Sequence, residues 1–219
     1  WRGTGGVCII ILKYDILNIE WSKMSMKQNN EITVRIKGNI KDFYKLIEEK
    51  GFKIIDKFSM DDTYFIPANL NINNIETREI LSKAVLIRDI RGKMSNRVTK
   101  KITFKVKNFD ENGNILSQES INCDVFEIDD AKRLLAAIGY KEIMNIKEDD
   151  VVYEKNSFQF AVKDILNGDN LIEVETEDDE SFDTIEKLVK RVDEEDIPIY
   201  KDDYFVKKAE IELNKILKR

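Results

Sequence analysis

Polar and apolar residues alternate from position 31 to position 37 of the chain. Ile32, Val34 and Ile36 supply the apolar positions, and the residues between them are charged or carry a hydroxyl group. A period of two is the pattern of a β-strand that buries one face and leaves the other face polar. The sequence therefore predicts a strand at 31–37 with one apolar face and one charged face.

A helix and a long strand are predicted directly after this strand. Asn39 is a residue type that caps helix N-termini, and Gly51 is the type that often follows helix C-termini. An apolar stripe at helical spacing lies between them, formed by Ile40, Phe43, Tyr44 and Ile47. A strand at 52–65 follows, and Pro67 with an Asn-rich loop ends the unit.

This unit of strand, helix and strand recurs 88 positions later. The matched positions lie in the helix and in the segment that follows its glycine. They pair Asp42, Leu46, Ile47, Gly51, Phe52 and Lys53 with Asp130, Leu134, Leu135, Gly139, Tyr140 and Lys141. Recurrence of a whole unit in the same order predicts a pseudo-twofold repeat, and therefore one domain over 29–219 rather than two.

Strands outnumber helices in the rest of the chain. Runs with strand patterns lie at 83–91, 101–107, 115–125, 146–153, 158–164 and 171–175, and residues 110–113 have the composition of a hairpin turn. Two amphipathic helices separated by Pro198 are predicted after them. The expected fold class is α+β, an antiparallel β-structure with flanking helices.

The first 28 residues match no pattern found later in the chain. Two interpretations stay open for them. One is a genuine N-terminal strand at 7–12, and the other is an extension upstream of a natural start at Met24 or Met26. Residues 1–28 are therefore treated as an appendage to the domain.

Composition removes several classes of function. The net charge of −6 argues against a nucleic-acid-binding protein, which needs a basic excess. The chain has no histidine, which excludes His-based triads and His-ligated zinc. Its two cysteines, Cys8 and Cys123, suit a reducing compartment, and no run reaches the roughly 20 apolar residues of a membrane helix. We expect a cytoplasmic protein with no nucleic-acid or membrane partner, and a homodimer stays open.

Two predicted strands carry charges of opposite sign on one face. Lys101, Lys105 and Lys107 share a face of one strand, and Glu173 and Glu175 share a face of another. Each could be the solvated face of an ordinary sheet. Together they fit a closed β-barrel whose lumen holds opposite charges. Lysines there would hold phosphate oxygens and carboxylates would hold Mg²⁺, an arrangement for phosphoryl or nucleotidyl transfer.

Several motifs, in the order of the chain, resemble the CYTH superfamily. These triphosphate tunnel enzymes include class IV adenylyl cyclases, thiamine triphosphatases and inorganic triphosphatases. The similar segments are Glu31-Ile-Thr-Val-Arg35, Gly51-Phe52, Asp62-Thr-Tyr-Phe65, Leu86-Ile-Arg88, Thr103-Phe-Lys105, Lys147, Asp164, Gly168 and Glu173-Val-Glu175. The resemblance covers residues 31–175 and implies a closed antiparallel tunnel with a charged lumen.

The resemblance also implies which residues form the site. For phosphate binding it implies Arg35, Arg88, Lys105 and Lys147. For a Mg²⁺ or Mn²⁺ ion it implies Glu31, Asp164, Glu173 and Glu175. The chain departs from the family at Thr33, Leu86 and Asp149, and each departure removes a charge that the family uses.

Three functions follow from the resemblance and its departures. The first is a Mg²⁺-dependent phosphohydrolase that acts on a small inorganic, nucleoside or thiamine triphosphate. The second is a degenerate tunnel that binds a polyanion or nucleotide without turnover, which the missing charges favour. The third is a class IV adenylyl cyclase. All three predict a small triphosphate or polyphosphate ligand.

Overall fold

The computed structural model describes residues 31–109, 115–175 and 184–218, with their side chains except those of 107–109 and 115–119. The predictions for residues 1–28 and for the turn at 110–113 lie outside the described residues. In the described ranges, no helix combines the length and the apolar character that are needed to cross a membrane.

The described chain contains eight strands and five α-helices. The strands are β1 (Glu31–Arg35), β2 (Lys53–Pro67), β3 (Val85–Gly92), β4 (Val98–Phe109), β5 (Ile115–Asp124), β6 (Tyr140–Lys155), β7 (Phe158–Ile165) and β8 (Asn170–Glu175). The helices are α1 (Ile40–Glu49), α2 (Thr77–Ser82), α3 (Ile128–Ala137), α4 (Ile185–Glu194) and α5 (Lys208–Leu217), and Ile72–Asn74 forms a 3-10 turn. The α+β class is confirmed. The sequence does not predict α2, because six residues are too few to show a helical stripe.

The strands form one antiparallel sheet in the order β1-β8-β7-β6-β2-β3-β4-β5. Its ends are β1 and β5, and no pairing between described strands joins them, so hydrogen bonds do not close the predicted barrel. Another segment occupies the free edge of β1. The Thr33 N–H donates to the Tyr204 carbonyl at 3.0 Å, and the Val206 N–H donates to the Thr33 carbonyl at 2.9 Å. Residues 198–206 thus cover the edge that a closing strand would need.

The internal repeat is visible around the central strand pair of β2 and β6. Helix α1 spans 40–49 and α3 spans 128–137, so both ends differ by the 88 positions found in the sequence. Each helix is followed by a glycine in the left-handed region, Gly51 at φ +89° and Gly139 at φ +90°. Glycine adopts this conformation without the strain of a side chain. As predicted, Asn39 caps α1 by accepting a hydrogen bond from the Lys41 N–H at 2.8 Å.

One face of the sheet, the outer face, packs against helices. Helices α1 and α4 pack on one half of it, in a cluster that includes Phe43 and Leu188. Helix α3 packs on the other half, where Leu135 joins a cluster with Phe65 and Ile87. Because side chains alternate along a strand, the neighbours of these strand residues point to the opposite, inner face.

The inner face has an apolar half and a charged half. The apolar half is a buried cluster that contains Tyr64, Leu86 and Leu171 of the sheet, Ile80 of α2 and Leu213 of α5. Helices α2 and α5 therefore lie against this half of the inner face. The other half of the inner face carries charged side chains from β1, β3, β4 and β8.

Candidate anion and metal site on the inner face

Three cations lie together on β3 and β4. The register pairs Arg88 with Lys101, and Lys105 follows four residues later on the same face of β4. Ile87, next to Arg88, belongs to the cluster under α3, so the three cations point to the inner face. We call Arg88, Lys101 and Lys105 the cation group.

An aspartate of β2 holds Arg88 in place. Arg88 Nε donates to Asp62 Oδ1 at 2.7 Å, and Arg88 Nη2 donates to Asp62 Oδ2 at 2.6 Å. Burial opposes the charge of Arg88, but the hydrogen bonds and the charge of Asp62 outweigh it and raise the pKa of Arg88. This guanidinium group is therefore both charged and fixed in orientation.

Lys101 and Lys105 differ from Arg88 in their ion pairing. Neither has a carboxylate within the 4.0 Å of an ion pair in the part of the chain that the structure describes. Both are half-buried. Loss of hydration, followed by the nearby charge of Arg88, lowers the pKa of both lysines. An anion would relieve this repulsion and replace the hydrogen bonds to water, so the cation group favours anion binding.

Three glutamates of β1 and β8 also belong to the inner face. In the register, Glu31 lies opposite Glu175, and Thr33 lies opposite Glu173. The Thr33 hydroxyl donates to Glu31 Oε1 at 3.2 Å. Loss of hydration, followed by the charges of Glu173 and Glu175, raises the pKa of Glu31 to about 7. We call Glu31, Glu173 and Glu175 the glutamate group.

The two groups lie near each other although their strands are far apart in the sheet order. The charge of Lys105 acts on Glu31, and the charges of Glu31 and Glu173 act on Lys105. A charge shifts the pKa of another group only when the two lie near each other, so β4 and β1 approach each other across the inner face. The sheet is therefore curved, and both groups face the same space.

The chemistry of the glutamate group suits a hard divalent cation. Carboxylate oxygens are preferred ligands of Mg²⁺, which proteins commonly bind through one or two carboxylates and substrate phosphates. Among the described residues, no three carboxylate or thiolate groups are placed so that they could hold a metal ion. A cation would also relieve the repulsion around Glu31. The residues present fit a Mg²⁺ ion completed by phosphate oxygens, and they do not fit a metal held by the protein alone.

A further set of charges on the inner face is already paired. Lys163 Nζ lies 3.0 Å from Glu173 Oε1, 3.2 Å from Asp150 Oδ2 and 3.5 Å from Glu148 Oε1. Lys208, at the start of α5, donates to both carboxylate oxygens of Glu148 at 2.8 Å. One member of the glutamate group, Glu173, is therefore shared with an internal ammonium group.

Two residues that the resemblance implies, Lys147 and Asp164, lie on the outer face. Lys147 pairs with Asp61 at 3.3 Å, and both side chains are about half exposed. Asp164 is exposed, whereas its neighbour Lys163 is buried. The inward positions belong to Glu148 and Lys163, one residue away in each strand. The structure therefore places Lys147 and Asp164 on the opposite face from Arg88, Lys105 and the three glutamates.

Arg35 also stands apart from the cation group. It lies at the end of β1, where its Nε donates to Asp169 Oδ2 at 3.0 Å, and both side chains are more than a third exposed. The remaining residues implied by the resemblance share the inner-face site. They are Arg88, Lys105, Glu31, Glu173 and Glu175.

The inner face also holds charged residues that the sequence does not assign to the site. The alternation in 101–107 already places Lys101 on the face of Lys105. Glu148, Asp150 and Lys163 have charged residues directly beside them, so alternation does not single them out. Lys208 begins a helix and belongs to no strand pattern. The pairing of the strands identifies Glu148, Asp150 and Lys163, and the contact with Glu148 identifies Lys208.

A cavity of about 290 Å³ lies on the outer face beside the start of α3. Acidic and basic side chains surround it together, among them Asp61, Asp89, Lys100 and Lys132. It lies on the other side of the sheet from the cation group, and it is therefore separate from the candidate site.

Solved structures share this architecture. PH1819 from Pyrococcus horikoshii OT3 has a TM-score of 0.61 and 20% identity, over 87% of this chain and 99% of its own. A protein of Vibrio parahaemolyticus that is proposed to be an adenylate cyclase has a TM-score of 0.55 and 14% identity, over 88% and 98%. PH1012 from Pyrococcus horikoshii OT3 has a TM-score of 0.52 and 18% identity, over 80% and 97%. The sequence matches no family profile and no curated protein at a significant level. The chain has a CYTH-like fold, as its motifs predict.

Proposed function

We propose that this protein binds a small triphosphate together with Mg²⁺ on its inner face and hydrolyses a phosphoanhydride bond of that ligand. The observation that carries the proposal is the state of Lys101 and Lys105. Both are half-buried beside Arg88, with no carboxylate of the described chain at ion-pair distance. Two members of the glutamate group, Glu31 and Glu173, lie near Lys105. A polyanion would neutralise the charge of the cation group, and a divalent cation would neutralise the charge of the glutamate group.

Each group of charges has a separate role in this proposal. Arg88, oriented by Asp62, offers its remaining N–H groups to phosphate oxygens, and Lys101 and Lys105 add ammonium groups that can follow the ligand. Glu31 and Glu175 would carry Mg²⁺, which neutralises phosphate charge when bound. The curved sheet would surround the ligand as a tunnel.

Hydrolysis needs no covalent bond between phosphorus and the protein. A water oxygen bonds to the terminal phosphorus while the bond from that phosphorus to the bridging oxygen breaks, and the water proton passes to solvent. Cations that fix the phosphate oxygens stabilise the charge of the transition state. The placement of the cation group supports this role. A cytoplasmic location, where small triphosphates are available, is part of the proposal.

Binding without turnover is a second candidate, and Thr33 favours it. Thr33 occupies an inner position beside Glu31, where it provides a hydroxyl group and no charge. Glu173, opposite Thr33 in the register, is paired with Lys163. Fewer carboxylates are therefore available to Mg²⁺ than in the motif that the sequence resembles. The adenylate cyclase activity proposed for the Vibrio protein is a further outcome to test.

Calorimetry and product analysis distinguish these functions. Tripolyphosphate, ATP and thiamine triphosphate are titrated into the protein with Mg²⁺ or with EDTA, and orthophosphate and cyclic AMP are assayed. Orthophosphate release is the expected result. Binding without any product would support the second candidate, and cyclic AMP would support the cyclase. Absence of binding to all three ligands would contradict every one of these functions.

Lys105→Gln and Lys147→Gln form a matched pair, because they remove the same charge from opposite faces of the sheet. Lys105→Gln is expected to weaken triphosphate binding about tenfold or more, since a charge-assisted contact to phosphate is lost. Lys147→Gln is expected to bind like the parent. Equal losses in the two variants would indicate a long-range effect of net charge and would contradict the inner-face site.

A further inference from the structure

The side chain of Tyr64 lies on the border between the apolar half and the charged half of the inner face. Its ring belongs to the buried cluster that contains Leu86 and Ile80, and the residue is 7% exposed. On β2 it follows Asp62 by two positions, so the two side chains share the inner face. Asp62 is the carboxylate that orients Arg88. Tyr64 therefore connects the apolar packing to the candidate anion site.

The hydroxyl group of Tyr64 lies near the guanidinium group of Arg88. The charge of Arg88 influences the pKa of Tyr64, and Tyr64 in turn influences the pKa of Arg88. Loss of hydration, followed by the charge of Asp62, raises the pKa of Tyr64. The hydroxyl group therefore keeps its proton at neutral pH and can donate a hydrogen bond.

This hydroxyl group forms no hydrogen bond within the described part of the chain. The carboxylates near it are engaged by other donors. Both oxygens of Asp62 accept from Arg88, and both oxygens of Glu148 accept from Lys208. The hydroxyl oxygen is in contact with solvent, unlike the unpartnered Oδ1 of Asp150, which is enclosed. Buried tyrosine hydroxyl groups normally have a partner, and here an acceptor from outside the chain can reach the donor.

The neighbouring side chains determine which kind of acceptor fits. Arg88, Lys101 and Lys105 offer hydrogen-bond donors and no acceptors. A ligand that they hold must therefore present acceptor oxygens, and phosphate oxygens accept from guanidinium, ammonium and hydroxyl groups alike. A neutral donor such as Tyr64 adds a hydrogen bond without adding to the repulsion among the cations.

We propose that Tyr64 is a ligand-binding residue of the inner face, whose hydroxyl group donates a hydrogen bond to a phosphate oxygen of the triphosphate held by the cation group. This inference rests on the proposed function and adds a neutral donor to its charged residues. Packing of the ring in the apolar cluster holds the hydroxyl group in position before the ligand binds.

Tyr64→Phe tests the proposal, because it removes the hydroxyl group and keeps the ring. Without ligand, the variant is expected to unfold at the same urea concentration as the parent or a slightly higher one, since the lost hydroxyl group has no partner in the described chain. Its affinity for tripolyphosphate, measured by calorimetry with Mg²⁺, is expected to fall about tenfold or more, because a hydrogen bond to a charged group is lost.

Two results with this variant would overturn the proposal. One is a folded Tyr64→Phe protein that binds tripolyphosphate like the parent, which would mean that solvent alone satisfies the hydroxyl group. The other is a variant that does not fold or is clearly less stable than the parent, because the hydroxyl group would then have a structural role.

Tyr153→Phe is the matched control. Tyr153 is also a buried tyrosine of the sheet, 1% exposed, but it packs in the cluster under α1, and its hydroxyl group donates to Glu48 Oε1 at 3.3 Å. The opposite pattern is expected here, a lower stability and an unchanged affinity for tripolyphosphate. Equal losses of affinity in the two variants would indicate a general loosening of the sheet and would contradict a specific role of Tyr64.

A measurement on the parent protein detects the hydrogen bond itself. The carbon-13 resonance of Tyr64 Cζ, assigned by its loss in Tyr64→Phe, is expected to shift when tripolyphosphate and Mg²⁺ are added, whereas that of Tyr153 is expected to stay in place. An unchanged Tyr64 resonance in a protein that binds tripolyphosphate would overturn this inference and leave the proposed function intact. A parent protein that binds no triphosphate would contradict both.

Discussion

Arg88 and Asp62 face each other on neighbouring strands and form a two-point ion pair, with distances of 2.7 Å from Nε to Oδ1 and 2.6 Å from Nη2 to Oδ2. Lys101 lies opposite Arg88 on the next strand. The ion pair therefore orients the arginine of the cation group. It also connects the stability of the sheet to the geometry of the candidate anion site.

Asp62→Asn is expected to lower the free energy of unfolding by about 3–5 kcal/mol, as is typical when one partner of a buried ion pair is lost. Asp61→Asn is the matched control, because Asp61 pairs with Lys147 on the exposed outer face. Such surface pairs contribute about 0–1 kcal/mol. Urea denaturation of both variants measures the difference. Similar losses would mean that the Arg88 pair is no more important than a surface pair.

The metal-free protein is expected to become less stable as the pH rises from about 4.5 to about 7, through the titration of Glu31. The pKa of Glu31 is higher in the folded state than in the unfolded state, so the folded state binds the proton more tightly in this window. The stabilisation is present at low pH and is lost as Glu31 ionises beside Glu173 and Glu175. Denaturation in EDTA across this range measures the slope. Glu31→Gln should have a flatter profile, and identical profiles would contradict the raised pKa.

Thr33→Glu adds a carboxylate beside Glu31 and opposite Glu173. In EDTA the variant is expected to be less stable than the parent, because the new charge repels its neighbours, and Mg²⁺ should restore its stability. We expect triphosphate hydrolysis to rise about 10²–10³-fold, since one electrostatic contact in a transition state is commonly equivalent to about 3–4 kcal/mol. Orthophosphate release with Mg²⁺ measures the gain.

Thr103→Glu is the control for Thr33→Glu. Thr103 is a buried threonine of β4 that lies between Lys101 and Lys105 on the inner face. A carboxylate there is expected to weaken triphosphate binding instead of increasing turnover, because it neutralises the cation group. A folded Thr33→Glu protein that turns over no faster than the parent would make binding without turnover the better-supported function.

Gly51→Ala and Gly139→Ala are expected to destabilise the protein by similar amounts, about 1–2 kcal/mol each. Both glycines have φ near +90°, and a Cβ atom at either position would meet no atom within 4 Å. Backbone strain is therefore the only expected cost. Urea denaturation of the single and double variants should give additive losses, because the two sites lie far apart. A large difference between the single variants would show that the two halves of the repeat contribute unequally to the free energy of unfolding.

The charged face of β4 could be predicted from the sequence because its charges have apolar neighbours. Lys105 lies between Phe104 and Val106, so a period of two identifies its face. Residues 147–150 of β6 are all charged and show no period. In this segment the register with β2 determines which residues point to the inner face, since Glu148 pairs with Met60. Long-range pairing of this kind leaves no signal within a single strand.

The repeat could be predicted because its signals are local. A cap at Asn39 and left-handed glycines at Gly51 and Gly139 fix the helix ends within a few residues. The contact of β1 with residues 198–206 joins opposite ends of the described chain, and no local pattern indicates it. The sequence therefore predicts a closed barrel, whereas in the structure residues 198–206 cover the free edge of β1.

The position of β1 has a consequence for synthesis on the ribosome. Glu31 emerges before the partners of its strand, which are β8 and residues 198–206. Contacts between distant parts of a chain form slowly and leave apolar faces exposed in the meantime. A nascent chain that stops before β8 would hold the lysines of β4 and Glu31, but it would lack Glu173 and Glu175. The two halves of the candidate site therefore come together only after β8 has been made.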